Sequence, residues 1–408
     1  MKTQTSRRAL RLLLIATTSL LPLVMQPIAA PAASTGTLYG LGQSTVVTIN
    51  PATGETATYA DLPQVDTFPG AFFNVLAVDP AGHRLFTSRT FYSEDFTPHY
   101  QIVTVDTSTD PPTITLSEDM ASGITDLVFD PGTGALFGQT NMCCPFQLVR
   151  IDPVSGAQTH VADIPGIQPL RMTGAPDRHA IYLPTEDFDP ITFQPIVTVV
   201  TIDTRSGAVS QSRPVAKGIF GLVYDRASGN LFGKTFCCPA SLVAVNPSTG
   251  AETTLAAELP IGGGLTIDSG THTVLMTADD FDGFNLVQRI ESVNDVTGAT
   301  SASSGTLPTD TYVNYLAFMP TLITPAQIRA DVQDALASGA ITKAGIAKNL
   351  LAELDDAQAA RNRGQCNTAT NIYQQFINDV NAQTGKSIAP ATASLLISDA
   401  QNLIANCP

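Results

Sequence analysis

The 408-residue sequence contains no tryptophan, and only 14% of its residues are charged. Its 21 basic residues face 36 acidic ones, for a net charge of −15. A surface of that sign repels phosphate backbones and anionic lipid, which sets nucleic-acid binding aside. After the first residues no second long apolar run occurs, so nothing in the mature chain reads as a transmembrane segment. There is no C-x-x-C spacing, no nucleophile elbow with a Ser-His-Asp order, and no complete EF-hand loop. Those absences remove thiolate zinc, acyl transfer and EF-hand calcium from the readily legible chemistries.

What is present begins with "MKTQTSRRALRLLLIATTSLLPLVMQPIAAPAAS", a basic stretch, a short apolar stretch broken by Pro22 and Pro27, and a small-residue end. That layout is an export signal, expected over residues 1–33 with cleavage after Ala32 or Ala33. The run "SRRALR" (Ser6–Arg11) leaves twin-arginine and ordinary Sec export both open. Loss of Lys2, Arg7, Arg8 and Arg11 makes the mature chain more acidic still. The expected location is secreted, extracellular or periplasmic, where the six cysteines meet an oxidising environment. With 28 prolines, 30 glycines and many β-branched residues, the remainder reads as turn-rich β structure.

A phrase of two parts repeats. "GITDLVFDPGTGALFGQT" (Gly123–Thr140) is matched by "GIFGLVYDRASGNLFGKT" (Gly218–Thr235). Each is followed by a second phrase, "QLVRIDPVSGAQTHVADIP" (Gln147–Pro165) or "SLVAVNPSTGAETTLAAELP" (Ser241–Pro260). Every phrase is a strand, a D-P-x-[ST]-G-like turn and a strand, because Asp or Asn before Pro starts a turn and the later Gly accepts positive φ. Two such hairpins make a four-stranded antiparallel sheet of about 47 residues, the size of one propeller blade. First-hairpin turns fall at Asp79, Asp130, Ala175, Asp225 and Asp268. The region begins instead with an outer half, "LYGLGQSTVVTINPATGETATYADLP" (Leu38–Pro63), and ends with an inner strand, "TYVNYLAFMP" (Thr311–Pro320). These two complete each other, which predicts a six-bladed β-propeller over residues 34–320, its first blade closed by the inner strand 311–320.

Features alternate from blade to blade. The blades turning at Asp79, Ala175 and Asp268 carry "YSEDFTP", "PTEDFDP" and "TADDFDG" between their second and third strands; those turning at Asp130 and Asp225 carry "NMCCPF" and "TFCCPA" there. His83, His179 and His272 share one register in the acidic-loop blades. In a blade, the second-to-third-strand loop lies on the face of the link to the next blade, and the tight turns lie on the other. Acidic and CCP loops therefore share one face and the histidines the opposite one. Long variable loops cluster on the first face, where binding is expected.

The CCP blades are separated by a whole blade, and bridged Cα atoms must lie within about 7 Å. Cys143–Cys144 and Cys237–Cys238 are therefore expected as vicinal disulfides stiffening each loop, with free thiols as the alternative. In the acidic loops, Asp279, Asp280 and Asp282 with Asn285 offer oxygen ligands around Gly283, a set suited to calcium. Asp280 and Asp282, followed by Asp187 and Asp189, are the candidate calcium ligands, while Glu94, Asp95, Glu186 and Asp279 are candidate binding residues. The alternative is that all are solvated turn carboxylates. The phenylalanine shared by the loops (Phe96, Phe188, Phe281) is expected to tuck each loop onto its blade. A three-histidine metal site is not expected, since threefold spacing around a ring separates the rings far beyond Zn–N bond lengths of about 2 Å.

After Pro320 the composition turns helical. Thr324 reads as an N-cap with Pro325 in the first turn, and apolar residues recur at helical spacing: Ile328, Val332 and Leu336; Ile346, Leu350, Leu351 and Leu354; Ile372, Phe376, Ile377 and Val380; then Leu395, Leu396, Leu403 and Ile404. A small all-α bundle over residues 321–408 follows. Through "GIAKNLLAELDDAQAA", "YQQFINDVNAQTGKSI" and "ASLLISDAQNLI" this region resembles the FIMAH domain of bacterial secreted proteins, which implies a bacterial exported protein. Cys366 and Cys407 depart from that pattern and are expected as a disulfide joining the third helix's start to the last helix's end. The β region resembles secreted D-P-x-T-G repeat propellers. The absence of tryptophan motifs sets it apart from propeller quinoproteins.

The functional expectation is a secreted or cell-surface binding protein for an extracellular protein, glycan or small molecule, presenting acidic and CCP loops on one face. The alternative is a calcium-dependent hydrolase or lyase at the channel mouth, because six-bladed hydrolases hold calcium with Asn, Asp and Glu at inner-strand starts. Here those positions are Asn74, Thr125, Leu170, Phe220, Gly263 and Asn314, with Asp126 and Arg171 next along; Asn74, Asn314 and Asp126 alone suit the role.

Overall fold

The computed structural model describes residues 36–405, apart from 68, 143, 227, 237–238, 283–284 and 309–311. The expected export signal lies outside the described residues. β1 (Gly36–Leu41), β2 (Thr45–Ile49) and β3 (Thr56–Asp61) are the outer strands of one sheet. Five sheets follow this split blade and are numbered one to five. Blade one holds β4 (Phe72–Asp79), β5 (Arg84–Tyr92), β6 (Pro98–Asp106) and β7 (Thr113–Leu116); blade two holds β8 (Ile124–Asp130), β9 (Ala135–Thr140), β10 (Phe146–Ile151) and β11 (Gln158–Ile164). In blade three the inner strand is split into β12 (Gln168–Pro169) and β13 (Thr173–Ala175), both pairing β14 (Ala180–Phe188), with β15 (Pro195–Asp203) and β16 (Val209–Gln211) outside. Blade four is β17 (Ile219–Asp225), β18 (Asn230–Thr235), β19 (Ala240–Val245) and β20 (Glu252–Leu259).

Blade five is β21 (Leu265–Asp268), β22 (Thr273–Asp282), β23 (Asn285–Asn294) and β24 (Thr300–Ala302). β25 (Tyr315–Pro320) then returns to β1, pairing Leu38 with Phe318 and Gly40 with Leu316. The six-bladed ring is thus closed by its own two ends, as the half-repeats at the ends of the β region predict.

The apolar residues of these strands are buried on both faces because each sheet is sandwiched between neighbours. All six residues of β9, "ALFGQT", are buried. Six apolar clusters fill the six seams between blades. Phe86 and Ile102 of blade one meet Leu127 and Leu136 of blade two, and Leu38, Val47 and Phe318 of the split blade meet Leu275 and Ile290 of blade five. The repeated outer turns lock the same seams. Asn246 accepts hydrogen bonds at Oδ1 from the backbone N–H groups of Ser248 and Thr249, which starts the turn, and Gly250 completes it at φ +70°. A Cβ on Gly250 would stand 2.3 Å from the carbonyl oxygen of Arg213 in the preceding blade's edge, and one on Gly298 2.3 Å from that of Leu255. The glycine in the motif is therefore needed twice, for its φ and for the close approach.

Four helices follow: α1 (Pro325–Ala337), α2 (Ala344–Asn362), α3 (Cys366–Gln383) and α4 (Pro390–Ala405). Thr324 caps α1, accepting from the N–H of Gln327. Ile328, Val332, Leu350, Leu354, Tyr373, Phe376, Leu396 and Leu403 form their core; Leu395, expected with them, is half exposed because Leu396 takes the inward position. Asn402 fastens the bundle to the connecting segment, its Nδ2 donating to the carbonyl of Thr321 and its Oδ1 accepting from the N–H of Ile323. The bundle sits on the tight-turn face of the propeller. There Gln401 of α4 reaches His272, and a polar cavity separates Asp177, Arg205 and Arg226 from Gln365 and Asn367.

Two carboxyl pairs in the bundle set a pH dependence. Burial, reinforced by Asp331, pushes Asp399 up to about 7, and burial with Asp379 does the same to Glu353. A carboxyl raised on folding binds more protons in the folded state, so stability falls as pH rises from the unfolded value near 4 through about 7. The helical ellipticity of the full chain is expected to melt at a higher temperature at pH 5 than at pH 8, and Asp399→Asn should flatten that difference. For the ring, Gly250→Ala should cost about 2–3 kcal/mol of unfolding free energy. Gly345→Ala, in open space on α2, should instead be neutral or stabilise by about 0.5 kcal/mol.

Candidate binding face

The loops between second and third strands gather on one face, together with the links that enter each inner strand. The three acidic loops are tall. β5 and β6 stay paired to Tyr92–Pro98, β14 and β15 to Phe188–Pro195, and β22 and β23 to Asp282–Asn285. The two CCP loops are low, their last pairs being Gln139–Leu148 and Lys234–Leu242. Their necks are closed the same way: Thr140 Oγ1 accepts from the N–H of Gln147, and Thr235 Oγ1 from that of Ser241. Three raised hairpins thus stand around the ring with two low loops between them.

The height of the hairpins overturns one expectation. Phe96, Phe188 and Phe281 do not tuck onto their blades; Phe96 is 77% exposed, Phe281 69% and Phe188 48%. The paired strands carry the tips past the blade edge, where no neighbouring sheet is available to cover a ring. Ile191 and Phe193 in the middle hairpin are 86% and 75% exposed. Met142 and Phe236 beside the CCP loops, and Ile167 and Ile261 on the inter-blade links, add to the same face. Between blades three and four, Glu186, Pro195, Val197, Val215 and Phe236 line a groove running from an acidic hairpin to a CCP loop.

The carboxylates of these loops work locally. Asp95 accepts from Ser93 Oγ and the N–H of Thr97, and Asp189 from the N–H groups of Ile191 and Thr192; these bonds hold both below the usual carboxylate range. Asp187 and Asp280 each accept from the next residue's N–H, of Phe188 and Phe281. Asp279 faces inward, bound by Gln288 Nε2 at 2.8 Å and Tyr312 Oη at 2.9 Å. Glu94 is exposed. Each acidic hairpin therefore keeps its own carboxylates, and the ring holds the three sets apart. The side chain of Asp282 lies outside the described residues, as do Cys143, Cys237, Cys238 and Cys407. Cys144 is exposed in its loop, and Cys366 opens α3.

Two cations, Arg171 and Lys234, stand toward the centre of the ring, each with a carboxylate near it, Asp126 and Asp279. The Arg171 guanidinium lies over the rings of Tyr315 (4.2 Å) and Phe220 (5.3 Å) and donates to the carbonyl of Asn314. Lys234, buried, donates from Nζ to the carbonyl of Gly262, and burial lowers it to about 8. Asp126, one of the residues suited to calcium, is spent on the backbone: its carboxylate oxygens accept from the N–H groups of Leu127 and Met172, while burial pushes it up to about 6. The sequence signal for Lys234 was the single change from "FGQT" to "FGKT" between the repeated phrases.

On the opposite face, His83, His179 and His272 all adopt left-handed φ of 51–54° at the ends of their turns. They stand in three separate blades and do not come together. His272 alone lies between two carboxylates, Asp225 and Asp295. Among the described residues no helix is long and apolar enough to cross a membrane.

Comparison with known proteins bears on the two regions separately. No curated protein matches the sequence. Among solved structures, TolB from Acinetobacter baumannii aligns over 71% of this chain and 68% of its own, with a TM-score of 0.50 at 12% identity. A chain of a nidogen/laminin complex aligns over 69% of this chain and 98% of its own (TM-score 0.48, 12% identity). A putative 6-phosphogluconolactonase from Bacteroides fragilis NCTC 9343 aligns over 71% and 99% (TM-score 0.41, 12% identity). At such identity the likeness to TolB is one of fold. Residues 325–405 match the FIMAH domain, so the chain is a six-bladed β-propeller followed by a FIMAH domain.

Proposed function

We propose that this is an exported binding protein whose raised-hairpin face, aromatic and acidic, captures an apolar and basic patch of an extracellular protein. The observation that carries this reading is the gathering of exposed aromatic and large aliphatic side chains, Phe96, Phe188, Ile191, Phe193, Phe236 and Phe281, on one face of the ring, whereas the turns of the other face expose single valines, Val154 and Val296. Soluble proteins rarely leave such a surface open without a partner for it. Aromatic side chains rimmed by carboxylates favour an apolar patch bearing Lys or Arg, since cations over ring faces and beside carboxylates gain from both. The turn face is occupied by the FIMAH domain, so the binding face and the domain do not compete for space.

Export puts the cysteines in an oxidising compartment. On this reading Cys143–Cys144 and Cys237–Cys238 are vicinal disulfides that stiffen the low loops beside the groove, and Cys366–Cys407 ties the ends of α3 and α4. Peptide mapping of unreduced secreted protein should find these three linkages, and alkylatable thiols at the CCP pairs would remove the stiffening role.

The binding face is tested by Phe96→Ala, Phe188→Ala and Phe281→Ala combined in the mature protein, screened against arrays of extracellular proteins and glycans. The exposed rings contribute little to the fold, so the melting temperature should barely move. Binding to whichever protein the wild type captures should fall at least tenfold, because aromatic anchors carry most interface energy. Undiminished binding by the triple variant would move the site elsewhere.

A further inference from the structure

The blade-pair repeat builds one joint three times on the tight-turn face. In each, the carbonyl of a left-handed histidine accepts from the backbone N–H of a residue in the same blade's outer turn: His83 from Thr107 (2.7 Å), His179 from Thr204 (2.8 Å) and His272 from Asp295 (2.9 Å). The preceding blade supplies a third member at the end of its inner strand. Thr107 Oγ1 lies 3.5 Å from Met319 Sδ, and Thr204 Oγ1 lies 3.5 Å from Asp130 Oδ2. At the third joint the imidazole itself faces the acids: Nδ1 of His272 is 3.1 Å from Asp225 Oδ2 and 3.4 Å from Asp295 Oδ1. Two copies fold with a threonine in the outer turn. The carboxylate of Asp295 is therefore not needed to build the joint.

It is also costly there. Asp295 is only 5% exposed, and neither of its oxygens accepts a hydrogen bond. A buried carboxylate left in that state is strongly disfavoured unless a cation compensates it. One proton on the imidazole leaves two carboxylates against a single positive charge. A divalent ion on a neutral imidazole and two carboxylates brings the set to zero.

The geometry assigns to Asp225, His272 and Asp295 a divalent transition-metal site of the zinc class, at the seam of blades four and five beneath the FIMAH domain. The three ligand atoms lie within 4.8 Å of one another. Ligands about 2.1 Å from a tetrahedral centre are about 3.4 Å apart, close to the separations from Nδ1. An imidazole with two carboxylates suits zinc or a neighbouring transition ion better than calcium, which takes oxygen alone. The helical domain supplies the orienting partner. The side-chain amide of Gln401 sits 2.9 Å from His272 Nε2. With the metal on Nδ1 the proton remains on Nε2, and the amide turned to present Oε1 accepts it, fixing the ring as such outer partners do. Bound metal would thereby tie two blades and α4 into one unit.

The test is titration of chelator-stripped, full-length mature protein with Zn²⁺, followed by calorimetry and thermal melting. One equivalent is expected to bind and raise the melting temperature. Asp295→Thr, which places at this joint the residue found in the other two, should fold normally and lose at least about 100-fold in affinity, and Gln401→Ala should lose about tenfold. No heat and no melting shift with the wild type would overturn the proposal. So would one equivalent bound equally well by Asp295→Thr, which would place the ion elsewhere.

Discussion

The pairing of β25 with β1 is the constraint on which everything else rests. It closes the ring, removes both exposed sheet edges and gives every blade two neighbours. Only in a closed ring can strands such as β9 be buried on both faces, and only then do the six seams fill with apolar side chains. The turn glycines are a second lock on the same seams, because a Cβ at Gly250 or Gly298 would stand 2.3 Å from a carbonyl oxygen of the preceding blade. A rigid ring then separates what its two faces can do.

On the turn face the chain meets itself. The FIMAH domain lies over the tight turns, held through Gln401 on His272 and anchored to its connecting segment by Asn402. On the other face the hairpins rise clear of the blades and expose aromatic rings whose neighbouring carboxylates are held by their own turns. Fixed carboxylates and exposed rings form a surface that needs little ordering on association, which favours affinity from a modest area. Toward the centre of the ring, Arg171 lies over Tyr315 and Lys234 donates to the carbonyl of Gly262.

The blade count, the split blade and the tight turns were legible in the sequence because each rests on a local necessity. An Asn or Asp to start the turn and a Gly to finish it cannot be replaced freely, so the repeat shows through divergent strands. The helical region was legible for a similar reason, from Thr324, Pro325 and the spacing of Ile328, Val332 and Leu350. What escaped the sequence depends on distances between repeats. Whether Phe96 is covered depends on how far its hairpin overshoots the neighbouring blade, which no local pattern encodes. The joint at His272 depends on Asp225, one blade earlier, and on Asp295, a single departure from the threonines at 107 and 204. The surface taken by the helical domain left no signal beyond polar residues such as Gln401 and Arg226.

The division of labour between the faces is the central claim, and covalent surface footprinting of the intact protein tests it most directly. The account predicts heavy labelling at Phe96, Phe188, Phe193 and Phe281, and protection at Pro176, His272 and Gln401 on the docked face. Labelling of the turn face with protection of the hairpin tips would contradict it.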